Sequence, residues 1–234
     1  MVSGIVAEIS NAHNGAFERA LRLIGAVEEA GADWIKFQCY TPDELVQLRG
    51  NGQAPEPWGS QGFTMYDLYT RAQTPHSWFP HLVAKCDDIG LPWFSSVFGL
   101  DSLALLEGLG CPVYKLASLD RERADFRASV IATGKPIIQS SPEPMNLRGV
   151  TQLYCPPGYP QYPEMPDYRA LCGAMDVFDG FSYHGVDWTV PLYAVAWGAK
   201  IVEVHVQLDD EPSELERGVS LTISQLKELV EASR

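Results

Sequence analysis

The feature that most limits the fold is a rhythm. Eight short apolar runs recur along the chain, and each closes on polar side chains. They lie at 4–9, 34–38, 92–96, 112–118, 135–141, 150–155, 177–182 and 200–205. Segments with apolar residues at helical spacing follow seven of them; the first, from Phe17 to Ala30, carries Ala20, Leu21, Leu23, Ile24 and Val27 and closes on Gly31. The exception is the fifth run. Only Pro142 to Gly149 separates it from the sixth, and a stretch holding Pro142, Pro144 and Gly149 supplies no crossover helix. Strands alternating with helices build a parallel sheet. The expectation is an α/β (β/α)8 TIM barrel, one domain over 1–234, with the helix after strand 5 missing or much reduced. A doubly wound open sheet is the runner-up. It calls for a glycine-rich turn after the first strand, and Asn11-Ala12-His13-Asn14-Gly15 is not one.

Composition narrows the function. The chain is 46% apolar and 20% charged, enough for a substantial core. Its net charge of -13, with no Lys/Arg cluster, argues against nucleic acid, though a local basic pocket for a small anion is compatible with it. No 18-residue apolar run exists, so no membrane span is expected. The opening Met1-Val2-Ser3-Gly4-Ile5 has no basic region and reads as entry into a strand, not a signal peptide. Five widely spaced cysteines with no CxxC pair read as reduced thiols of a cytoplasmic protein.

Strand alternation picks out the candidate site. In a barrel the functional groups gather at the C-terminal strand ends. This chain places there Glu8, Lys36, Gln38, Ser96, Lys115, Ser118, Ser140, Ser182, His184, Glu203 and His205. Two lysines with several hydroxyls suit a phosphate or carboxylate. Two imidazoles and a carboxylate suit a divalent metal. Glu8 is placed to hold a hydroxyl or act as a base. Each has an ordinary structural alternative: a lone His as a hydrogen-bonded core residue, Lys36 as an edge lysine, a serine as a turn residue. Residues 40 to 74 form a long loop with short helices near 43–48 and 65–69, and Trp58, Phe63, Met65 and Tyr66 are expected to pack over the site.

These motifs, in this order, resemble the N-acetylneuraminate (sialic acid) synthase family. The resemblance is carried by Ala7-Glu8-Ile9 with Ala12-His13-Asn14-Gly15, by Ala30-Gly31-Ala32-Asp33 leading to Lys36-Phe37-Gln38, and by Tyr114-Lys115-Leu116-Ala117-Ser118. It continues through Thr133-Gly134-Lys135-Pro136, Gly180-Phe181-Ser182 with His184, and Gly198-Ala199-Lys200 with Glu203 and His205. What it implies is a transferase of carbohydrate biosynthesis that condenses phosphoenolpyruvate with an N-acetylated aldose and releases phosphate. A divalent metal would polarise the sugar carbonyl, manganese in the first place and magnesium or cobalt as alternatives. His184 and His205 match the metal ligands. Lys36, Lys115, Ser96, Ser118, Ser140 and Ser182 match phosphoenolpyruvate contacts, and Glu8 and Glu203 match acids near the sugar. Gln38 joins them as a substrate contact. Glu216, in Leu215-Glu216-Arg217, stands where the family has Pro-Asp-His.

The departures are specific. Ser140-Ser141-Pro142 replaces Ser-Thr-Gly, Tyr183-His184-Gly185 replaces Asp-His-Thr, and Gly158-Tyr159-Pro160 replaces Glu-Tyr-Pro. Asp167 is expected where an Asn contacts phosphate. The family's C-terminal antifreeze-like domain is not expected here; the family's dimers imply a homodimer, and a separate capping subunit is the alternative. Two other readings remain open: a metal-dependent aldolase or lyase on another small oxo-acid, and a non-catalytic barrel that partners a synthase.

Overall fold

The computed structural model of the protein describes residues 3–161 and 166–234. Eight strands form the barrel: β1 Gly4–Glu8, β2 Trp34–Cys39, β3 Trp93–Val97, β4 Tyr114–Leu116, β5 Ile137–Ser141, β6 Thr151–Tyr154, β7 Gly180–Tyr183 and β8 Ile201–Gln207. Each pairs in parallel with the next, and β8 pairs back with β1 from Gly4↔Ile201 to Glu8↔His205, which closes the ring. The helices are α1 Phe17–Glu29, α2 Pro42–Arg49, α3 Met65–Ala72, α4 Phe79–Ile89, α5 Leu100–Gly108, α6 Ala124–Ile131, α7 Tyr168–Met175, α8 Thr189–Ala196 and α9 Ile223–Ala232. Among the described residues no helix is long and apolar enough to cross a membrane.

Register sorts the interior into layers. Following the paired residues around the ring, Val6, Phe94, Ile138, Leu153 and Gly180 share the inward face with Glu8, Lys36, Ser96, Lys115, Ser140, Ser182, Glu203 and His205. The lower part of the barrel is therefore an apolar plug, and the polar groups form a floor above it. The outward faces, such as Ile35 and Phe37 on β2 and Val202, Val204 and Val206 on β8, belong to a core completed by helical stripes. Leu23, Ile24 and Val27 of α1 and Leu226, Leu229 and Val230 of α9 are among them. Gly180 is required by close approach: a Cβ there would lie 2.0 Å from the carbonyl oxygen of Ile201.

No helix lies between β5 and β6; residues 142–150 form an irregular strap. The outer strand faces explain how the barrel tolerates this. In place of apolar side chains they present the amides of Gln139 and Gln152, in register with each other. Gln152 accepts from the Met145 N–H at 2.7 Å and donates to the Met145 carbonyl at 2.9 Å, which ties the strap to β6. Gln139 donates to the Ala117 carbonyl at 2.9 Å.

Several boundaries differ from expectation. β4 is only Tyr114–Leu116, and Ser118 opens a 3-10 turn. The seventh run enters the sheet only at Gly180, leaving Val177 61% exposed in the turn after α7. The segment before α4 begins as a 3-10 turn over His76–Trp78. A short ninth strand, β9 Ser220–Thr222, precedes α9. His205 pairs with Glu8 on one side and Ser220 on the other, so β9 takes up the edge that β7 leaves at Val204. Met1, Val2 and positions 162–165 of the Pro- and Tyr-rich loop lie outside the described residues.

The long segment after β2 folds over the barrel mouth. Thr41 with Glu44 and Thr64 with Asp67 form reciprocal capping boxes that start α2 and α3. Tyr40, Leu45, Tyr69 and Phe98 form a small separate core beneath them.

Candidate functional site

A cavity of about 630 Å³ opens at the C-terminal strand ends. All twelve candidates from the sequence line it: Glu8, Lys36, Gln38, Ser96, Lys115 and Ser118 from the first four strand ends, Ser140, Ser182, His184, Glu203 and His205 from the rest, and Glu216 from the loop after the eighth. Lys36 is not an edge lysine, for its side chain is 3% exposed. Trp58 and Met65 line the outer cavity as expected, whereas Phe63 and Tyr66 do not. Asp167 is not a lining residue. Its carboxylate accepts from the N–H groups of Arg169 and Ala170 and caps α7, so its residue type answers to a helix start.

Opposite charges are interleaved on the floor. Lys36 Nζ lies 2.8 Å from Glu8 Oε2 and 2.9 Å from Glu203 Oε2. Lys115 Nζ lies 3.4 Å from Glu203 Oε1, which also accepts from the Ser182 hydroxyl at 2.8 Å. Burial opposes every charge here, so the neighbours decide. Burial works against Lys36, but Glu203 and Glu8 outweigh it and hold the ammonium above its usual range. Lys115 has the weaker carboxylate contact and lies beside Lys36, so burial wins and its range is lowered. Against its own burial, Glu203 is held well below the usual carboxylate range by Lys115 and Lys36. The Ser140 hydroxyl is buried and, among the described residues, has no hydrogen-bond partner.

The second half of the site surrounds His205. Its Nε2 lies 3.2 Å from Glu8 Oε2 and its Nδ1 3.2 Å from Glu216 Oε2. Burial disfavours the imidazolium, yet Glu8 and Glu216 raise it to about 9. Glu216, itself buried, is lowered to about 2 by His205 and by hydrogen bonds from Tyr159 and Ser10. Tyr159 donates to Glu216 at 2.6 Å, and its ring packs against both imidazoles. Glu216 sits on the acidic 208–219 loop, which is pinned from outside. Arg19 reaches Ala12 O at 2.6 Å and Glu211 Oε2 at 2.7 Å, and Arg71 of α3 binds Glu214.

The sequence expectation of a metal on His184 and His205 has a mixed fit. The rings are close, with centroids 4.9 Å apart. Among the described residues no three His, Cys, Asp or Glu side chains converge as a metal site. His205 suits the role, since a carboxylate on Nδ1 is the usual support for a ligand that binds through Nε2. His184 has no such support: its Nδ1 lies 3.0 Å from the Gln161 amide nitrogen and 3.9 Å from Cys155 Sγ. Tyr159 and Gln161 went unrecognised in the sequence. Tyr159 stood out only as part of a departure from the family motif, and Gln161 carried no signal.

A closed parallel barrel with lysines, carboxylates, hydroxyls and imidazoles gathered in one mouth is the architecture of proteins that act on small polar molecules at the C-terminal strand ends. The NeuB family model matches residues 23–142 and 145–234. The chain belongs to the NeuB family. Pseudaminic acid synthase of Helicobacter pylori is 30% identical over 97% of this chain and 72% of its own length. N-acetylneuraminate-9-phosphate synthase of Mus musculus is 29% identical over 98% of this chain and 69% of its own. A crystal structure of N-acetylneuraminic acid (sialic acid) synthetase from Leptospira borgpetersenii serovar Hardjo-bovis, in complex with citrate, superposes with a TM-score of 0.81 at 23% identity, over 100% of this chain and 83% of that one, and shares the fold.

Proposed function

We propose that the protein is a transferase that joins phosphoenolpyruvate to an N-acetylated aldose and releases phosphate. The observation that carries this reading is the polar floor: two buried lysines line the same cavity as the Ser140 hydroxyl, which has no hydrogen-bond partner among the described residues. A small dianion supplies what that corner lacks, an acceptor for Ser140 and charge for Lys115. Lys36, Lys115 and the hydroxyls of Ser96, Ser118, Ser140 and Ser182 then hold the carboxylate and phosphate of phosphoenolpyruvate. The enol carbon of phosphoenolpyruvate bonds to the aldehyde carbon of the sugar, water adds to the cation left at the neighbouring carbon, and phosphate departs with its bridging oxygen. Glu8 and Glu203, with Gln38, orient the sugar and water by accepting and donating hydrogen bonds. A bound divalent cation would add carbonyl polarisation beside His205; the roles above belong to the chain's own residues.

The test is phosphate release from phosphoenolpyruvate across a panel of N-acetylated aldoses. Release that depends on one sugar is expected. A folded protein that releases no phosphate with any sugar refutes the reading.

A further inference from the structure

Gln161 is 2% exposed, and its amide is held at both ends. Its Oε1 accepts the backbone N–H of His184 at 3.1 Å. Its Nε2 lies 3.0 Å from the carbonyl oxygen of Pro156 and 3.3 Å from that of Ser182. Exchanging amide oxygen and nitrogen would set N–H against N–H at one end and oxygen against two carbonyls at the other. The orientation is therefore determined by three contacts at once. The same Nε2 is 3.0 Å from His184 Nδ1, so its two hydrogens serve its two nearest neighbours, Pro156 O and His184 Nδ1, while Cys155 Sγ lies farther off, 3.5 Å from Nε2 and 3.9 Å from Nδ1. A proton on Nδ1 would point at an N–H donor, so Nδ1 carries the lone pair and Nε2 the hydrogen. His205 is arranged the opposite way, with Nδ1 facing the Glu216 carboxylate. The His184 ring lines the cavity, and among the described residues its Nε2 has no partner.

We infer that Gln161 makes His184 a hydrogen-bond donor into the cavity through Nε2–H, and not a ligand of a resident cation. On the synthase reading, on which this assignment of a partner rests, the acceptor is the carbonyl oxygen of the aldose. The imidazole stays neutral and transfers no proton; it polarises that oxygen as a fixed dipole. Ligation through Nε2 would require moving the proton to Nδ1 against the Gln161 amide, or turning the amide against its three other contacts. Gln161 is thus a positioning residue that acts through His184.

The test is long-range proton–nitrogen NMR on the wild-type chain with 15N-labelled histidine, the His184 signals assigned by their loss in His184→Asn. Nitrogen shifts of an Nε2–H tautomer are expected; those of an Nδ1–H tautomer overturn the inference. A second measurement titrates manganese alone by electron paramagnetic resonance. Gln161→Ser, which frees Nδ1 to take the proton, is expected to bind manganese roughly tenfold more tightly than wild type. Wild-type manganese binding that is lost in His184→Ala overturns the assignment. Neither readout involves turnover. A chain that releases no phosphate refutes the synthase reading alone, and an Nδ1–H signal refutes this inference even in an active synthase.

Discussion

Removing Lys36 tests whether the site's charges are a mutually dependent set. Lys36→Met keeps most of the stem's volume and deletes the ammonium. Two carboxylates that are 2% and 3% exposed, Glu8 and Glu203, then lose a cation at 2.8 and 2.9 Å. Neither is left bare: His205 remains 3.2 Å from Glu8, and Lys115 remains 3.4 Å from Glu203. The expected penalty is therefore that of one broken buried pair, about 3–5 kcal/mol at pH 7, a large fraction of the roughly 5–15 kcal/mol that holds a typical domain folded. The assay is equilibrium urea unfolding followed by tryptophan fluorescence, for which the chain has six reporters. The sign with pH is determined by linkage. Lys115 and Lys36 hold Glu203 below the usual carboxylate range, so losing Lys36 raises its folded-state pKa above its value in wild type. To the extent that it rises above the unfolded value, the penalty is absent below the unfolded value and grows as pH rises through the folded one. The deficit should shrink from pH 7 to pH 5. A Lys36→Met protein within about 1 kcal/mol of wild type at pH 7 would refute the reasoning, because Lys115 and His205 would then suffice to hold both acids. A deficit independent of pH over that range would mean that Glu203 stays ionised without Lys36.

Three further outcomes are expected. Ser140→Ala deletes a hydroxyl with no partner among the described residues, so its thermal midpoint should match wild type while KM for phosphoenolpyruvate rises roughly tenfold; loss of stability without a KM effect would contradict the site assignment. Gly180→Ala places a Cβ 2.0 Å from the Ile201 carbonyl oxygen, and should lower stability by more than about 4 kcal/mol or prevent soluble expression; a mild effect would mean that the β7–β8 register is soft. The His205 imidazolium, raised from 6.5 to about 9, contributes stability that is fully present below pH 6.5 and lost as pH rises through 9. Denaturant midpoints should fall across that window, and the fall should be smaller in Glu216→Gln, which loses one of the two carboxylates responsible.

The barrel was legible in the sequence because its evidence is periodic. Strand alternation alone placed Lys36 and Gln38 on one face, and the short stretch with Pro142, Pro144 and Gly149 predicted the missing helix after the fifth strand. The same alternation located the strand-end groups that line the cavity, since in a closed parallel ring side chains of equal parity point inward together. Contacts made by loops were not legible. Gln161 meets His184 across 23 residues and Arg19 meets Glu211 across 192, and no local pattern records either. Asp167 was misjudged for a related reason: an acid before a helix answers to the backbone N–H groups of that helix as readily as to any ligand. Val177 was placed in a strand because its run is apolar, but the pairing with β8 begins only at Gly180.

The ninth strand has a consequence for how the site keeps its geometry. The 208–219 loop leaves from the end of β8 and returns to pair with it at His205↔Ser220, so Glu216 and His205 are two points on one closed circuit of chain. Breathing of the barrel wall carries both together, and the 3.2 Å between them is insulated from it. The arginines outside are different. Arg19 and Arg71 belong to α1 and α3 and grip the loop by its acids. Salt or substitution at Glu211 or Glu214 would act as a tiller, turning the carboxylate against its imidazole while leaving the barrel itself undisturbed.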